Sequence, residues 1–246
     1  MLRESLLLHA WESGQGQSPA EQALCLLQYG YPERPLAQLL SLSVGERDAL
    51  LFALREQSFG PNLQGAARCP QCRQQSQFSV PLAALRVPMP VAAAQTFVLH
   101  HEALRIAYRL PRVADLRQAA RLADVDAVRV FLIRSCIVSV SRDGDEAPLS
   151  VQDVLSESLE HALATAMTAH DPQSEVLLSL CCAHCGQAWS ALLDIVRFVW
   201  TELSAQAERL MSQVDVLARA YGWTESEILQ LGPARRRRYL ELLSHD

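Results

Sequence analysis

Arg68-Cys69-Pro70-Gln71-Cys72 and Cys181-Cys182-Ala183-His184-Cys185-Gly186-Gln187-Ala188-Trp189 are the two stretches on which the reading of this chain turns. Each contains C-x-x-C, a spacing at which one tight turn aims two thiolates inward. Two such turns supply four sulfur ligands, the number that a tetrahedral zinc ion takes. The expected quartet is Cys69, Cys72, Cys182 and Cys185. Between Cys72 and Cys182 lie 109 residues (73–181), whereas ordinary ribbons leave roughly 15–20 between their halves. One shared ion would therefore clasp distant parts of the chain and set off the residues between as an inserted module. Cys181 and His184, beside the second turn, are the alternative ligands. Four thiolates leave no open coordination position, so the expected zinc is structural and not catalytic. A redox dithiol at Cys69-Pro70-Gln71-Cys72 would need its first cysteine at the start of a helix that follows a strand. The residues after it, Arg73-Gln74-Gln75-Ser76-Gln77-Phe78 and then Pro81, do not read as that helix.

The bulk composition is that of an ordinary globular chain. It has 246 residues, 50% apolar and 20% charged, enough to bury a sizeable core. The net charge is −5, and all 22 basic residues are arginine. No global basic field draws it to nucleic acid or anionic lipid. Leu6-Leu7-Leu8 is too short for a signal-peptide core. No apolar run reaches the roughly 20 residues that span a bilayer. The expected compartment is the cytoplasm, where seven cysteines argue for metal or free thiols and not disulfides. Cys25 and Cys136, in apolar surroundings, read as buried hydrophobes. There is no G-x-S-x-G, phosphate loop or H-E-x-x-H, and contiguous His100-His101-Glu102 cannot face one metal from a strand. No enzymatic activity is expected.

The fold class that follows is α+β, mainly helical. Residues 1–85 hold N-terminal helices and the first knuckle, 86–173 an inserted α+β module, and 174–246 the second knuckle, a long helix and a C-terminal helical pair. Residues 1–17 end in a Gly/Gln/Ser stretch and read as a loose arm. Ser18-Pro19-Ala20-Glu21 and Ser43-Val44-Gly45-Glu46 are capping boxes that open helices running to Gly30 and to about Gln57. Pro32 and Pro35 mark an irregular link, and Leu50, Leu51 and Leu54 the core face of the second helix. Short strands should flank each knuckle. Pro81, Pro88 and Pro90 bound the insert. Within it, Leu104, Ile106, Tyr108 and Leu110 alternate as the inner face of a half-buried strand ended by Pro111. Residues 113–123 and 126–136 read as helices, 137–140 as helix end or strand, Arg142-Asp143-Gly144-Asp145 as a turn, and Ser150 as the start of one helix that stops before Asp171-Pro172. Beyond the second knuckle a helix is predicted over Ile195–Tyr221. Val196, Trp200, Leu203, Ala207, Leu210, Val214 and Leu217 form a seam of heptad spacing along it, which either packs on its own protein or docks a partner helix. Gly222, a capping box at Thr224-Glu225-Ser226-Glu227 and Gly232-Pro233 punctuate the last two helices, with Trp223 and Tyr239 in their core. Arg235-Arg236-Arg237-Arg238 is the one dense basic run, read as a solvated helix face or as a nucleic-acid contact.

Taken in order, several stretches resemble the T-even phage baseplate hub subunit and hub assembly chaperone family, most closely its zinc-knuckle members found with contractile phage tails and extracellular contractile injection systems. The stretches are Leu42 to Asp48 with Leu54-Arg55-Glu56 and Phe59-Gly60-Pro61, leading into Cys69-Pro70-Gln71-Cys72; Tyr108-Arg109-Leu110-Pro111 with Asp115-Leu116; Cys182 to Trp189 with Asp194-Ile195, Phe198-Val199-Trp200 and Glu202; and Leu217 to Trp223 with Glu227-Ile228-Leu229 and Arg235-Arg236, Tyr239 and Leu240. Cys181 and Ala183, the latter where the family often has proline, are departures at the second knuckle. The resemblance implies a non-enzymatic assembly factor or minor component of a baseplate or hub. Its implied partners are baseplate, hub, spike or tape-measure proteins, and it implies no membrane. The alternative from the residues alone is a zinc-ribbon nucleic-acid-binding regulator.

Overall fold

The computed structural model describes residues 4–87, 96–145 and 147–244. Pro88 and Pro90 lie outside them. The chain opens with α1 (Glu4–Gly14), where a loose arm was expected. Leu7, Ala10, Trp11 and Gly14 fall at helical spacing, and Leu7 and Ala10 are buried in the main core. The Gly14 Cα approaches the indole of Trp200 so closely that a Cβ there would overlap the ring. Helix α2 (Pro19–Gly30) begins where Ser18 caps it, the Ser18 Oγ accepting from the Glu21 N–H at 3.3 Å. The reciprocal half of that capping box is missing. The Glu21 carboxylate instead accepts from Arg117 Nε at 2.7 Å. After Pro35 a short helix, α3 (Leu36–Ser41), follows. Helix α4 (Val44–Phe59) has the full capping box of Ser43 and Glu46, and Gly60 ends it at φ 94°. Leu51, Phe52 and Leu54 are buried along it, while Leu50 is half-buried.

Two antiparallel hairpins follow the helices, far apart in sequence. The first pairs β1 (Asn62–Arg68) with β2 (Gln75–Pro81). The chain then leaves through a 3-10 turn (Leu82–Ala84) into the insert. There β3 (Phe97–His101), β4 (Leu104–Tyr108) and β5 (Ile137–Arg142) form an antiparallel sheet in that order. Helices α5 (Val113–Ala119) and α6 (Val125–Cys136) lie between β4 and β5. The helix expected from Ser150 is two, α7 (Val151–Val154) and α8 (Glu157–His170), because Ser156 turns out of the helix to cap α8 through the Leu159 N–H. The insert has its own core of Ile106, Tyr108, Ile133, Cys136, Val140, Leu159, Leu163 and Met167. A second 3-10 turn (Pro172–Ser174) leads to β6 (Leu177–Cys181) and β7 (Ala188–Leu192).

Helix α9 (Ile195–Tyr221) has the bounds predicted, capped by Asp194 and stopped by Gly222 in the left-handed conformation. Its seam is intramolecular. Val196, Leu203, Ala207 and Leu210 join the core built by α1, α2 and α4, and each buried leucine is worth about 2 kcal/mol. Further along, Leu217 is buried where α10 (Glu225–Gln230) and α11 (Pro233–Leu243) fold back on α9. Tyr221, Trp223 and Tyr239 cluster at that end, with Trp223 stacked on Tyr221 at 4.6 Å. Trp223 and Tyr239 are half-buried, not the core residues expected, and Tyr221 is exposed. Arg236 does not belong to a solvated face. It is 1% exposed and donates to the Leu231 and Ile228 carbonyls and to Gln213 Oε1.

Candidate metal centre

The two hairpins carry the two C-x-x-C stretches at their tips, and the tips meet. In the first, the Cys69 N–H donates to the Gln74 carbonyl at 2.9 Å, and the Arg73 N–H donates to the Cys69 carbonyl at 3.0 Å. In the second, the Cys182 N–H donates to the Gln187 carbonyl at 2.8 Å, and the Gly186 N–H donates to the Cys182 carbonyl at 2.9 Å. The two turns are therefore the same structure built twice. Each needs a left-handed residue directly after its second cysteine. Gly186 takes that conformation freely at φ 73°, whereas Arg73 takes it at φ 62° against a Cβ penalty of about 1 kcal/mol.

Joined this way, all four sulfurs of Cys69, Cys72, Cys182 and Cys185 lie within 4.8 Å of one another. Cys69 Sγ is 3.7 Å from Cys185 Sγ, and Cys72 Sγ is 3.6 Å from Cys182 Sγ. A zinc ion with Zn–S bonds of ~2.3 Å has tetrahedral edges of ~3.8 Å, so these separations fit a four-thiolate site. The spacing is too long for a disulfide, whose sulfurs sit ~2.05 Å apart. Cys69 and Cys182 are buried, Cys72 is half-buried and Cys185 is exposed. Cys181 is exposed, with its thiol donating to the Gly186 carbonyl at 3.6 Å, and neither it nor His184 joins the group. Cys181 is the last residue of β6 and His184 lies in the turn between the two ligand cysteines.

Backbone N–H groups stabilise charge on the sulfurs. The N–H groups of Cys72 and Gln71 pull the Cys69 thiol below its ordinary value. Those of Cys185 and His184, with the Ser76 hydroxyl, bring Cys182 down to about 6. Cys72 has the Gln74 N–H lowering it, yet desolvation and the Cys182 sulfur hold it above the ordinary thiol value. Cys185 has the Gln187 N–H in its favour, but desolvation and its three sulfur neighbours push it up to about 12. Four thiolates this close repel one another, and a divalent cation among them lets all four ionise. The group can hold a metal ion. Cys25 and Cys136 are elsewhere and buried, with desolvation raising both thiols, Cys136 to about 12.

Around this clasp the hairpins are fixed at their bases by contacts no spacing in the sequence announces. Arg55 on α4, 2% exposed, grips Glu202 of α9 through Nε and Nη2 at 2.9 and 2.7 Å. Its Nη1 donates to the carbonyls of Gly60 and Asn62, where β1 begins. Gln173 closes the neck of the insert, accepting from the Val87 N–H at 2.7 Å and donating to the Leu85 carbonyl at 3.2 Å. Asp171 Oδ2 accepts from the Gly45 N–H at 2.8 Å, at the first turn of α4. His100, His101 and Glu102 form no ligand set. His100 Nδ1 meets Asp143 Oδ1 at 2.9 Å and His101 Nε2 meets Ser158 Oγ at 3.1 Å.

No helix among the described residues is long and apolar enough to cross a membrane. No curated protein and no solved structure is a significant match to the chain. The family model for the T4 bacteriophage base plate protein matches residues 4–200, the stretch that holds the N-terminal helices, both hairpins, the whole insert and the start of α9. Four-fifths of the chain lies within that match, and the chain belongs to the T4 bacteriophage base plate protein family.

Proposed function

We propose that this protein is a non-enzymatic assembly factor for the baseplate hub of a contractile tail, or a minor structural component of it, with one structural zinc per chain held by Cys69, Cys72, Cys182 and Cys185. Family membership over residues 4–200 carries the reading. The sulfur geometry supports zinc, because four thiolates at tetrahedral spacing suit it and leave no position for a reacting ligand. The protein acts in the cytoplasm of the producing cell or within the assembled particle, and its partners are hub, spike or tape-measure proteins. The nucleic-acid reading loses support from α11. Consecutive residues spread around a helix, so Arg235 to Arg238 do not share one face of α11, and Arg236 is committed to carbonyls of its own chain.

The test is a pull-down with the purified chain against the hub, spike and tape-measure proteins encoded with it. Binding to at least one of them is expected. Binding to none, with the complete set of tail genes expressed, overturns the proposal. Metal content by mass spectrometry should give about one zinc per chain. A content near zero in protein that has never met a chelator removes zinc from the account.

A further inference from the structure

Ser76, Phe78 and Val80 share the inner face of β2. Phe78 and Val80 pack against the main core, and a hydroxyl at the remaining position breaks that apolar pattern. Ser76 is the one buried residue of β2, 9% exposed, and pairs with Ala67 across the hairpin. A buried hydroxyl without a partner is costly. The partner here is a sulfur of the other hairpin. Ser76 Oγ donates to Cys182 Sγ at 3.7 Å and makes no other hydrogen bond among the described residues.

Cys182 is the sulfur that gains from such a donor. Four thiolates on one divalent cation leave an excess of negative charge, which the surroundings must stabilise. Cys185 is exposed and Cys72 half-buried, so water can serve them, but Cys182 is only 2% exposed and depends on donors of the protein. The N–H groups of His184 and Cys185 come from its own turn. Ser76 adds a donor from the opposite hairpin, 106 residues away in sequence. The equivalent position in the second hairpin, four residues past the second cysteine of its turn, is Trp189, so the support runs in one direction. We infer that Ser76 is a positioning residue of the metal centre: its hydroxyl holds the Cys182 thiolate in place across the hairpin interface and so sets how firmly the clasp keeps its ion. The inference rests on the zinc reading proposed above and adds to it a residue that is not itself a ligand.

The test compares hydroxyl with no hydroxyl at matched shape in the full chain: wild type against Ser76→Ala, and Ser76→Thr against Ser76→Val. Zinc affinity is read by competition with a chromophoric chelator. Losing the hydroxyl should weaken zinc about tenfold to a hundredfold, the range usual when a group that orients a ligand is removed. Cobalt(II) in place of zinc supplies a readout that packing alone would not move. A hydrogen bond lowers the energy of the sulfur lone pairs, so Ser76→Ala and Ser76→Val should shift the sulfur-to-cobalt charge-transfer absorption to longer wavelength. Ser76→Thr should stay with the wild type in both measurements. An unchanged affinity or an unmoved absorption in Ser76→Ala overturns the inference; weakened zinc with an unmoved absorption makes Ser76 a packing residue only. Should the added methyl unfold the threonine and valine variants, the comparison of Ser76→Ala with wild type decides alone. If the wild-type chain binds neither zinc nor cobalt, the metal reading falls and this inference with it. If it binds both and Ser76→Ala matches it, the metal centre stands and only the role of Ser76 fails.

Discussion

Removing the metal should cost this protein more than a typical zinc knuckle would cost its host. In the proposed site one ion joins Cys72 to Cys182 across 109 residues. A cross-link that closes a loop of about 100 residues withdraws ~4.7 kcal/mol of chain entropy from the unfolded state. That is a third or more of the 5–15 kcal/mol by which domains are stable. At about 2–4 °C per kcal/mol for a chain of this size, chelation should lower the melting midpoint by about 10–20 °C. The measurement is thermal unfolding followed at 222 nm, with and without a strong chelator, beside zinc content by mass spectrometry. Cys72→Ser and Cys185→Ser sit on different hairpins but cut the same cross-link, so both should lose metal and fall by the same amount. Cys181→Ala should keep its metal and its midpoint, since that thiol faces away from the cluster. The reasoning is refuted if either serine variant retains a full complement of zinc. A shift of only about 2 °C on complete chelation would also refute it, because the loop-closure contribution would then be absent.

The structure supports other tests. Arg55→Ala should destabilise the fold by about 3–5 kcal/mol in urea, because it strands Glu202 and two carbonyls; a loss under ~1 kcal/mol would mean that α9 is held on α4 by apolar packing alone. Leu203→Ala, in the seam and fully buried, should cost about 2–5 kcal/mol by the same measurement. Desolvation lifts the Asp48 carboxyl to about 6 from an unfolded value of 3.8, despite the attraction of Arg47. The folded state therefore takes up this proton first as pH falls, and the stability linked to Asp48 is lost as pH rises through 6, by up to roughly 3 kcal/mol. Asp48→Asn should remove that slope between about pH 4 and 6.5; an unchanged wild-type-minus-variant difference across the window would contradict it.

How much of this was legible in the sequence depended on whether the signal was local. Helix α9 was readable to its ends, because Asp194 caps it, Gly222 stops it and the heptad seam runs between. The cysteine turns were readable because C-x-x-C is itself a local geometry. Helix α1 was misread for compositional reasons: the Gly14-to-Ser18 stretch suggested an arm, while the helical spacing of Leu7, Ala10, Trp11 and Gly14 was already present. The break at Leu155-Ser156 was open to a closer reading, because serine favours a cap over a helix interior and Ser156 with Glu157 and Glu160 is an ordinary helix start. Side-chain partners were beyond reach altogether. Glu21 at the third helical position fits a capping box, and only the fold shows that Arg117 claims it. A run of four arginines reads as a solvated face until α10 and α11 close around Arg236. Arg73 carries no mark of the left-handed turn it adopts, because in the second knuckle the same position is an undemanding glycine.

Helix α4 ties the bases of both hairpins to the exit of the insert. At its N-terminus Asp171, the last residue before the second neck turn, accepts from the Gly45 N–H, so the exit of the insert is seated on the helix. At its C-terminal half Arg55 holds both the start of β1 and the early part of α9, which follows β7. The hairpins are thus fastened to α4 at their bases and brought together by the cysteines at their tips. A two-stranded hairpin held at one end alone is marginal in water, and here each is held at both. Between those two grips Arg47 and Asp48 of α4 line a cleft of about 480 Å³, whose other walls are α5 and α6 of the insert and β7 with the first turn of α9. The width of that cleft depends on how the insert sits relative to the second hairpin. That relation is set by Asp171, by Gln173 and by the four-sulfur clasp. In the proposed role, an ion at the four sulfurs fixes the second hairpin against the insert, and with it the two walls of the cleft, one from the insert and one from the hairpin and α9.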